Sequence, residues 1–277
     1  MKTVKIFLFT LLLLPMFSCK EIGPVITSLA PGTPTQVNTR NRVVLIEEFS
    51  GVRCVNCPAG SQDLERLSAS YPGRLAIVSI HAGFFSNPYP ESRFDFRTPE
   101  GNGLLNILGQ PLGYPSAVIN RRKFEGEADL QLGRAQWPGF IEQELAKAPA
   151  YDIRLSPSFS TSTRELRADV DVVRLDNSAN FQDLRLSIFI VENNIADAQL
   201  TPEGKREDYL HKYVLRKALT AFDGTPLGTE LQAAASIRRS YVFTFPAAWR
   251  AESCRLIAFV HRSGESWEVL QAVEKTF

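Results

Sequence analysis

The chain has 277 residues, 44% of them hydrophobic and 22% charged, with a formal net charge of +1. That is ample apolar material for a core, and at about 150 residues per domain the length favours two domains. Near-neutral charge without a basic run gives no reason to expect a nucleic-acid partner, and nothing in the chain calls for a cofactor.

Lys2 and Lys5 precede an apolar run from Ile6 to Phe17. At about a dozen residues it is too short to span a bilayer as a helix and predicts an export signal over 1–18. Met16-Phe17-Ser18-Cys19 resembles a lipobox, which implies cleavage before Cys19 and lipid on its new N-terminus. The alternative is an ordinary secretory signal with an incidental cysteine. Lys20 after Cys19, by analogy with lipoprotein sorting, is compatible with transfer to the outer membrane. Residues 19–42 are rich in Pro, Gly, Thr and Asn and lack periodicity, which predicts a flexible tether reaching roughly 25 Å.

Val43-Val44-Leu45-Ile46 is a continuous apolar run, as expected of a strand covered on both faces. Ser50-Gly51 breaks it before Cys54-Val55-Asn56-Cys57-Pro58. Pro58 suits a first helical turn; Leu64, Leu67 and Tyr71 recur at helical spacing; Pro72-Gly73 ends the helix. A thiol at a helix N-terminus faces unpaired N–H groups and the positive end of the dipole, which favours thiolate. The two-residue spacer lets Cys54 and Cys57 close a small disulfide ring. The pair suits thiol–disulfide exchange; the alternative is a disulfide that only staples the loop.

Arg74 to His81 predicts a second buried strand, and a short helical segment is expected around Leu104, Leu105 and Leu108. Between them Phe84 to Phe96 is long and aromatic, either the wall of a substrate groove or a loop packed on its own rings. Gly113 to Arg121 predicts a turn into a third strand, with Phe124-Glu125-Gly126 on the far side of a hairpin. Trp137-Pro138 starts a last helix with Trp137, Ile141 and Leu145 on one face. This order predicts an α/β domain over 43–148, a central mixed sheet with helices on both faces.

Beyond it the pattern becomes alternation. Leu166, Ala168, Val170 and Val172 predict one strand, Leu184 to Ile190 another, Tyr241, Phe243 and Phe245 a third. Ser263-Gly264 signals a hairpin. An all-β, immunoglobulin-like sandwich is expected over 149–277, with Tyr209 to Arg216 as a strand in an elaborated connection or, as the alternative, a short helix. Cys254 falls in an apolar strand-like run and reads as a buried structural thiol or, alternatively, as a resolving cysteine. No second cysteine pair or histidine cluster stands at metal-ligand spacing, and His81, His211 and His261 read as structural histidines.

With Leu45-Ile46-Glu47-Glu48-Phe49-Ser50-Gly51, the Cys54–Cys57 pair and Tyr114-Pro115-Ser116-Ala117-Val118-Ile119-Asn120-Arg121 in view, the first domain resembles a thioredoxin-like fold. The whole chain resembles the lipoprotein family named after a twenty-eight-kilodalton outer-membrane protein, with a weaker match at His211 and Val214-Leu215-Arg216. The thioredoxin resemblance implies Cys54 as attacking thiolate, Cys57 as resolving thiol and Pro115 as a cis-proline facing the disulfide. Tyr114 would present its backbone to an extended substrate. Glu48, six residues before Cys54, falls where thioredoxins keep a buried acid that relays a proton to the resolving cysteine. A salt-bridged or edge-facing carboxylate is the other reading, because adjacent Glu47 leaves the register open. Arg53 departs from the tryptophan usual there; it either favours thiolate at Cys54 or is solvated on a turn.

Two functions follow as expectations. One is a lipid-anchored envelope protein that exchanges thiols and disulfides with exported proteins or an envelope redox partner. The other is a non-catalytic outer-membrane lipoprotein that binds a protein or other ligand on a thioredoxin-like scaffold.

Overall fold

The computed structural model describes residues 41–175, 183–227, 236–264 and 266–277. The segment 1–18, Cys19 and the tether up to residue 40 lie outside them. The first half alternates strand and helix: β1 (Val44–Ser50), α1 (Cys57–Ser70), β2 (Leu75–His81), α2 (Pro99–Leu108), β3 (Ser116–Ile119) and α3 (Trp137–Leu145). Then come strands β4 (Tyr151–Ser160), β5 (Glu165–Arg174), β6 (Arg185–Glu192), β7 (Ile195–Thr201) and β8 (Gly204–His211). They continue as β9 (Val214–Ala218), β10 (Thr225–Pro226), β11 (Ser236–Thr244), β12 (Cys254–His261) and β13 (Val269–Lys275).

A mixed sheet runs β13-β12-β6-β9-β2-β1-β3, with β10 beside β6; a second sheet is β11-β5-β4 and a third is the β7-β8 ribbon. Strands on both sides of residue 148 therefore share one sheet, and Arg40–Phe277 is one compact unit. The sequence pattern predicts a free-standing sandwich over 149–277. The structure instead packs β11-β5-β4 on one face of β6 and β12, through Leu166, Val170, Ile188 and Leu256. The opposite face of β6 and β12 packs Phe189, Ile257 and Phe259 with Val78, Ile80 and Leu104 of the first half. β6 and β12 are buried on both faces almost throughout. Their apolar runs, interrupted in β6 by the buried Ser187, are what a central strand requires, and a two-layer sandwich has no place for them.

Helices α1 and α3 cover the other end of the sheet, Leu64, Trp137 and Ile141 lying on Ile46, Ile77 and Ile119. α1 carries Pro58 in its first turn and ends at Tyr71, before Gly73 at φ 70°. Two further details differ from the sequence reading. On the edge of β3 away from β1, Ala117 is bridged to Leu132 rather than to Phe124 to Gly126; Phe124 stacks on Phe140 at 4.1 Å between centroids. Tyr209 to Arg216 is two strands, broken at Lys212 and at Tyr213, whose φ is 56°.

Candidate functional site

Strand alternation decides the roles of the adjacent acids. Leu45, Glu47 and Phe49 share one face of β1, while Val44, Ile46 and Glu48 face α1. Glu47 is ion-paired with Arg121: Arg121 Nε donates to Oε2 at 2.7 Å and its Nη2 to Oε1 at 2.6 Å, both side chains fully buried. The Arg121 guanidinium also lies 4.9 Å from the centroid of Phe259 on β12. Among the described residues Glu48 has no cation in contact, Arg134 acting on it only at longer range. It points at the end of the sheet where α1 begins.

There Cys54 and Cys57 form a disulfide. Cys57 is the first residue of α1, and the Cys54 N–H donates to Gly51 O at 3.0 Å to close the preceding turn. Tyr114–Pro115 is a cis peptide bond, and the Pro115 ring lies so close to α1 that a Cβ on Gly60 would sit 2.5 Å from its Cγ and 3.1 Å from Glu48 Oε1. The helix start, Pro115 and the Glu48 carboxyl thus converge. Both cysteines are nearly covered, at 3% and 2% exposure. Beside them opens a groove of about 670 Å³ lined by Asn56, Leu112, Tyr114, Pro115, Asp129 and Arg134, among others. Leu112, 98% exposed, and Phe84, 81% exposed, stand on the surface of the loops around Tyr114.

Arg53, half-buried, reaches across to the aromatic loop. Its Nε and Nη2 donate to Asn87 O and Pro88 O at 2.8 Å each, and its guanidinium lies 4.3 Å from the Tyr89 ring centroid. It ties the Cys54 turn to the aromatic loop. That loop closes directly on the turn: a Cβ on Gly51 would meet Phe85 C and O at 2.4 Å. Its far end is held by Asp197 of β7, whose carboxylate accepts from Phe94 N at 2.7 Å and Arg93 N at 3.2 Å. Phe94 and Phe96 pack with Val52, Ile195 and Val214. The β7-β8 ribbon completes the enclosure: Gln199 Nε2 donates to Cys54 O at 2.9 Å, and Leu200 N to Val52 O at 2.8 Å.

Behind Cys57 lies a cavity of about 10 Å³ lined by Cys57, Glu48, Ser79, His81, Tyr209 and His211, among others. Burial pushes the Glu48 carboxyl up to about 8, against a hydrogen bond from Ser79 that pulls it down. Burial likewise holds His81 down at about 3 and His211 at about 4. Among the described residues Glu48 Oε1 and both ring nitrogens of His81 have no partner in good hydrogen-bond geometry, with the Ser79 backbone close enough to the imidazole to favour its charged form against burial. The sequence reading of His81 as a satisfied structural histidine is therefore corrected. Its position on β2 carried the signal: β1 and β2 pair in parallel with Glu48 opposite Ser79 and Ser50 opposite His81, which puts His81 on the Glu48 face. Among the described residues no group of three or more His, Cys, Asp or Glu side chains could hold a metal ion.

The model of the family described as outer membrane protein Omp28 matches residues 110–277. The chain belongs to the Omp28 family. Membership places it at the outer membrane of the cell envelope, and among the described residues no helix is long and apolar enough to cross a membrane. No curated protein sequence matches the chain. Among solved structures, HBP35 of Porphyromonas gingivalis matches with a TM-score of 0.69 at 19% identity, over 86% of this chain and 76% of that one. Protein AGR_C_4864 from Agrobacterium tumefaciens matches with a TM-score of 0.51 at 12% identity, over 85% and 95%. A domain of the outer membrane lipoprotein Omp28 from Porphyromonas gingivalis gives a TM-score of 0.33 at 16% identity, over 47% and 90%.

The Omp28 match takes in Tyr114, Pro115, Gln199, Tyr209 and His211, whereas Glu48, His81 and both cysteines of the disulfide precede it. The site is assembled from both parts of the chain. Cys254 takes no part in it. It is buried in the core between β11-β5-β4 and β6-β12, and that burial pushes its thiol up to about 12, which removes the nucleophilic thiolate. His261 is a satisfied structural histidine, Nε2 on Ser187 Oγ at 2.9 Å and Nδ1 on Arg262 O at 2.7 Å.

Proposed function

We propose that this Omp28-family chain is a thioredoxin-like thiol–disulfide exchange protein, anchored by lipid on Cys19 and acting on exported proteins or an envelope redox partner. The observation that carries the reading is the Glu48 carboxyl, buried with Oε1 unpartnered in the cavity it shares with Cys57. A structural staple gains nothing from such a group, whose burial costs stability. Exchange needs it. A substrate thiolate attacks Cys54 Sγ, the Cys54–Cys57 bond breaks, and Cys57 Sγ leaves with the electron pair and takes the proton of Glu48. A second substrate thiolate then attacks the substrate sulfur of the mixed disulfide and releases Cys54 thiolate. Two substrate thiols become a disulfide and the pair becomes a dithiol; the reverse sequence reduces a substrate. A carboxyl titrating near 8 holds its proton at neutral pH yet can release it. Pro115 and the Tyr114 backbone line the groove where an extended substrate segment would lie.

A second reading has its own support. Both cysteines are nearly covered, as in a disulfide that only fixes the loop, with the groove serving a binding partner. The reduction potential of Cys54–Cys57 separates the two, measured against glutathione in the full chain carrying Cys19→Ser. Exchange predicts a value between about −120 and −270 mV; a value below about −300 mV marks a staple and ends the exchange reading.

A further inference from the structure

Glu48 cannot serve twice without being reprotonated, and it is sealed from solvent. Once Cys57 has taken its proton, a carboxylate remains with no cation paired to it. The cavity behind Cys57 contains one other group in an equally unusual state. His81 is buried, and among the described residues neither ring nitrogen has a partner in good hydrogen-bond geometry, though the Ser79 backbone is close enough to favour its charged form; an unpartnered buried polar group is costly. It stands on the strand next to Glu48, on the same face, and both line a space of about 10 Å³, close to what one water needs. The His211 ring lies 5.7 Å from the His81 ring and its Nε2 is 3.3 Å from Ala198 O. The next residue, Lys212, is partly exposed and paired with Glu65 at 2.5 Å. A line of polar groups thus runs from the acid to the surface, half of it built by the β8 end of the Omp28 segment.

We propose that His81 is a proton-relay residue, carrying protons between solvent and Glu48 through a water in the cavity behind Cys57, with His211 on the outer side. The proposal rests on the exchange reading above, and His81 acts through Glu48 rather than on the sulfurs. When the pair is reduced, a proton is taken up at one ring nitrogen of His81 as the other nitrogen releases its own, through the water, to the Glu48 carboxylate. The imidazole ends neutral in its other tautomer. Reoxidation returns the proton by the same route and restores the first tautomer, so no charged imidazole is required. The titratable and charged groups around His81 are Glu48 on β1, Cys57 on α1, Tyr209 and His211 on β8, and Lys212 directly after it. Arg216 and Asp95 act at longer range. Phe96 packs on both imidazoles, at 5.0 Å from His81 and 4.7 Å from His211.

The experiment is the rate of reduction of the Cys54–Cys57 disulfide by excess dithiothreitol, followed by quenched thiol trapping across pH 5 to 9 in the full chain carrying Cys19→Ser. His81→Gln should slow reduction at neutral pH by about tenfold, a modest share of what a positioned proton donor supplies. His81→Phe, which keeps a ring against Phe96, should do the same, so that either variant with a native circular dichroism spectrum decides. In a Glu48→Gln background His81→Gln should change the rate less than about twofold, since the two act in series. The unsubstituted chain should show a solvent deuterium effect that His81→Gln removes. An unchanged rate in a native His81 variant overturns the proposal. So does equal slowing in both backgrounds, or no deuterium effect in the unsubstituted chain. Failure of the exchange reading shows separately, as a reduction potential in the staple range while the His81 effect on the rate persists.

Discussion

Glu48 and the histidines facing it bend the pH dependence of stability in opposite directions. Folded, Glu48 keeps its proton to about 8; unfolded, only to 4.5. Between those values the native state binds more protons than the unfolded one, so unfolding free energy falls as pH rises. His81 is neutral in the fold down to about 3 and His211 down to about 4, whereas either imidazole charges below 6.5 once unfolded. Their contribution is therefore lost as pH falls from 6.5. These three groups alone place the stability maximum of the oxidised chain near 6.5. Burial also raises Glu192 and Glu274, so each of them likewise lets stability fall as pH rises from 4.5. Glu48→Gln should make the chain lose less stability between pH 6.5 and 8, by about 1.5–2 kcal/mol, read from urea midpoints at both pH values. An unaltered decline would mean that Glu48 is not the buried acid described. At this scale the sequence was half legible. Glu48 could be singled out by its distance from Cys54, but its rival Glu47 could be set aside only once Arg121 was seen to claim it. His81 looked like any polar end to a core strand, because the residues around it that show its isolation come from β8, far along the chain.

Single elements were legible where burial is one-sided and less so where it is not. The alternation of β5 announces a strand with one wet face, and the structure bears that out. β6 and β12 are apolar on both faces, and periodicity cannot say what covers the second one. Long-range polar seams were invisible altogether. The Arg121–Glu47 pair joins the turn after β3 to the middle of β1 and lies against β12 through Phe259. Removing the cation strands a fully buried carboxylate, which costs about 3–5 kcal/mol. Arg121→Ala should lower the chain's unfolding free energy by that order in urea titrations at neutral pH. A loss under about 1 kcal/mol would show that the pair is as dispensable as an exposed one.

The molecule as a whole is held by the faces that β6, β9 and β12 present to the first half. Their Phe189, Val191, Leu215, Ile257 and Phe259 share one core with Val78, Ile80, Leu104 and Leu105. The backbone crosses the same boundary: Val269 N donates to Asn120 O at 2.8 Å, and Arg42 reaches both Val269 O at 2.8 Å and Glu144 Oε2 at 3.1 Å. The disulfide site straddles this join, since Gln199, Tyr209 and His211 enclose what β1, α1 and β2 begin. A chain of two self-sufficient domains would unfold in two steps, the first half retaining its disulfide site while the strands beyond it melt. A shared core ties the two free energies together. Unfolding of the oxidised chain carrying Cys19→Ser should therefore be one transition. Far-ultraviolet circular dichroism, dominated by strands, and the rate at which Cys57-side amides of α1 exchange hydrogen should report the same midpoint in urea. If the α1 amides stay protected through a first transition that removes half of the strand signal, the two parts are separable and the shared core is not what holds the site closed.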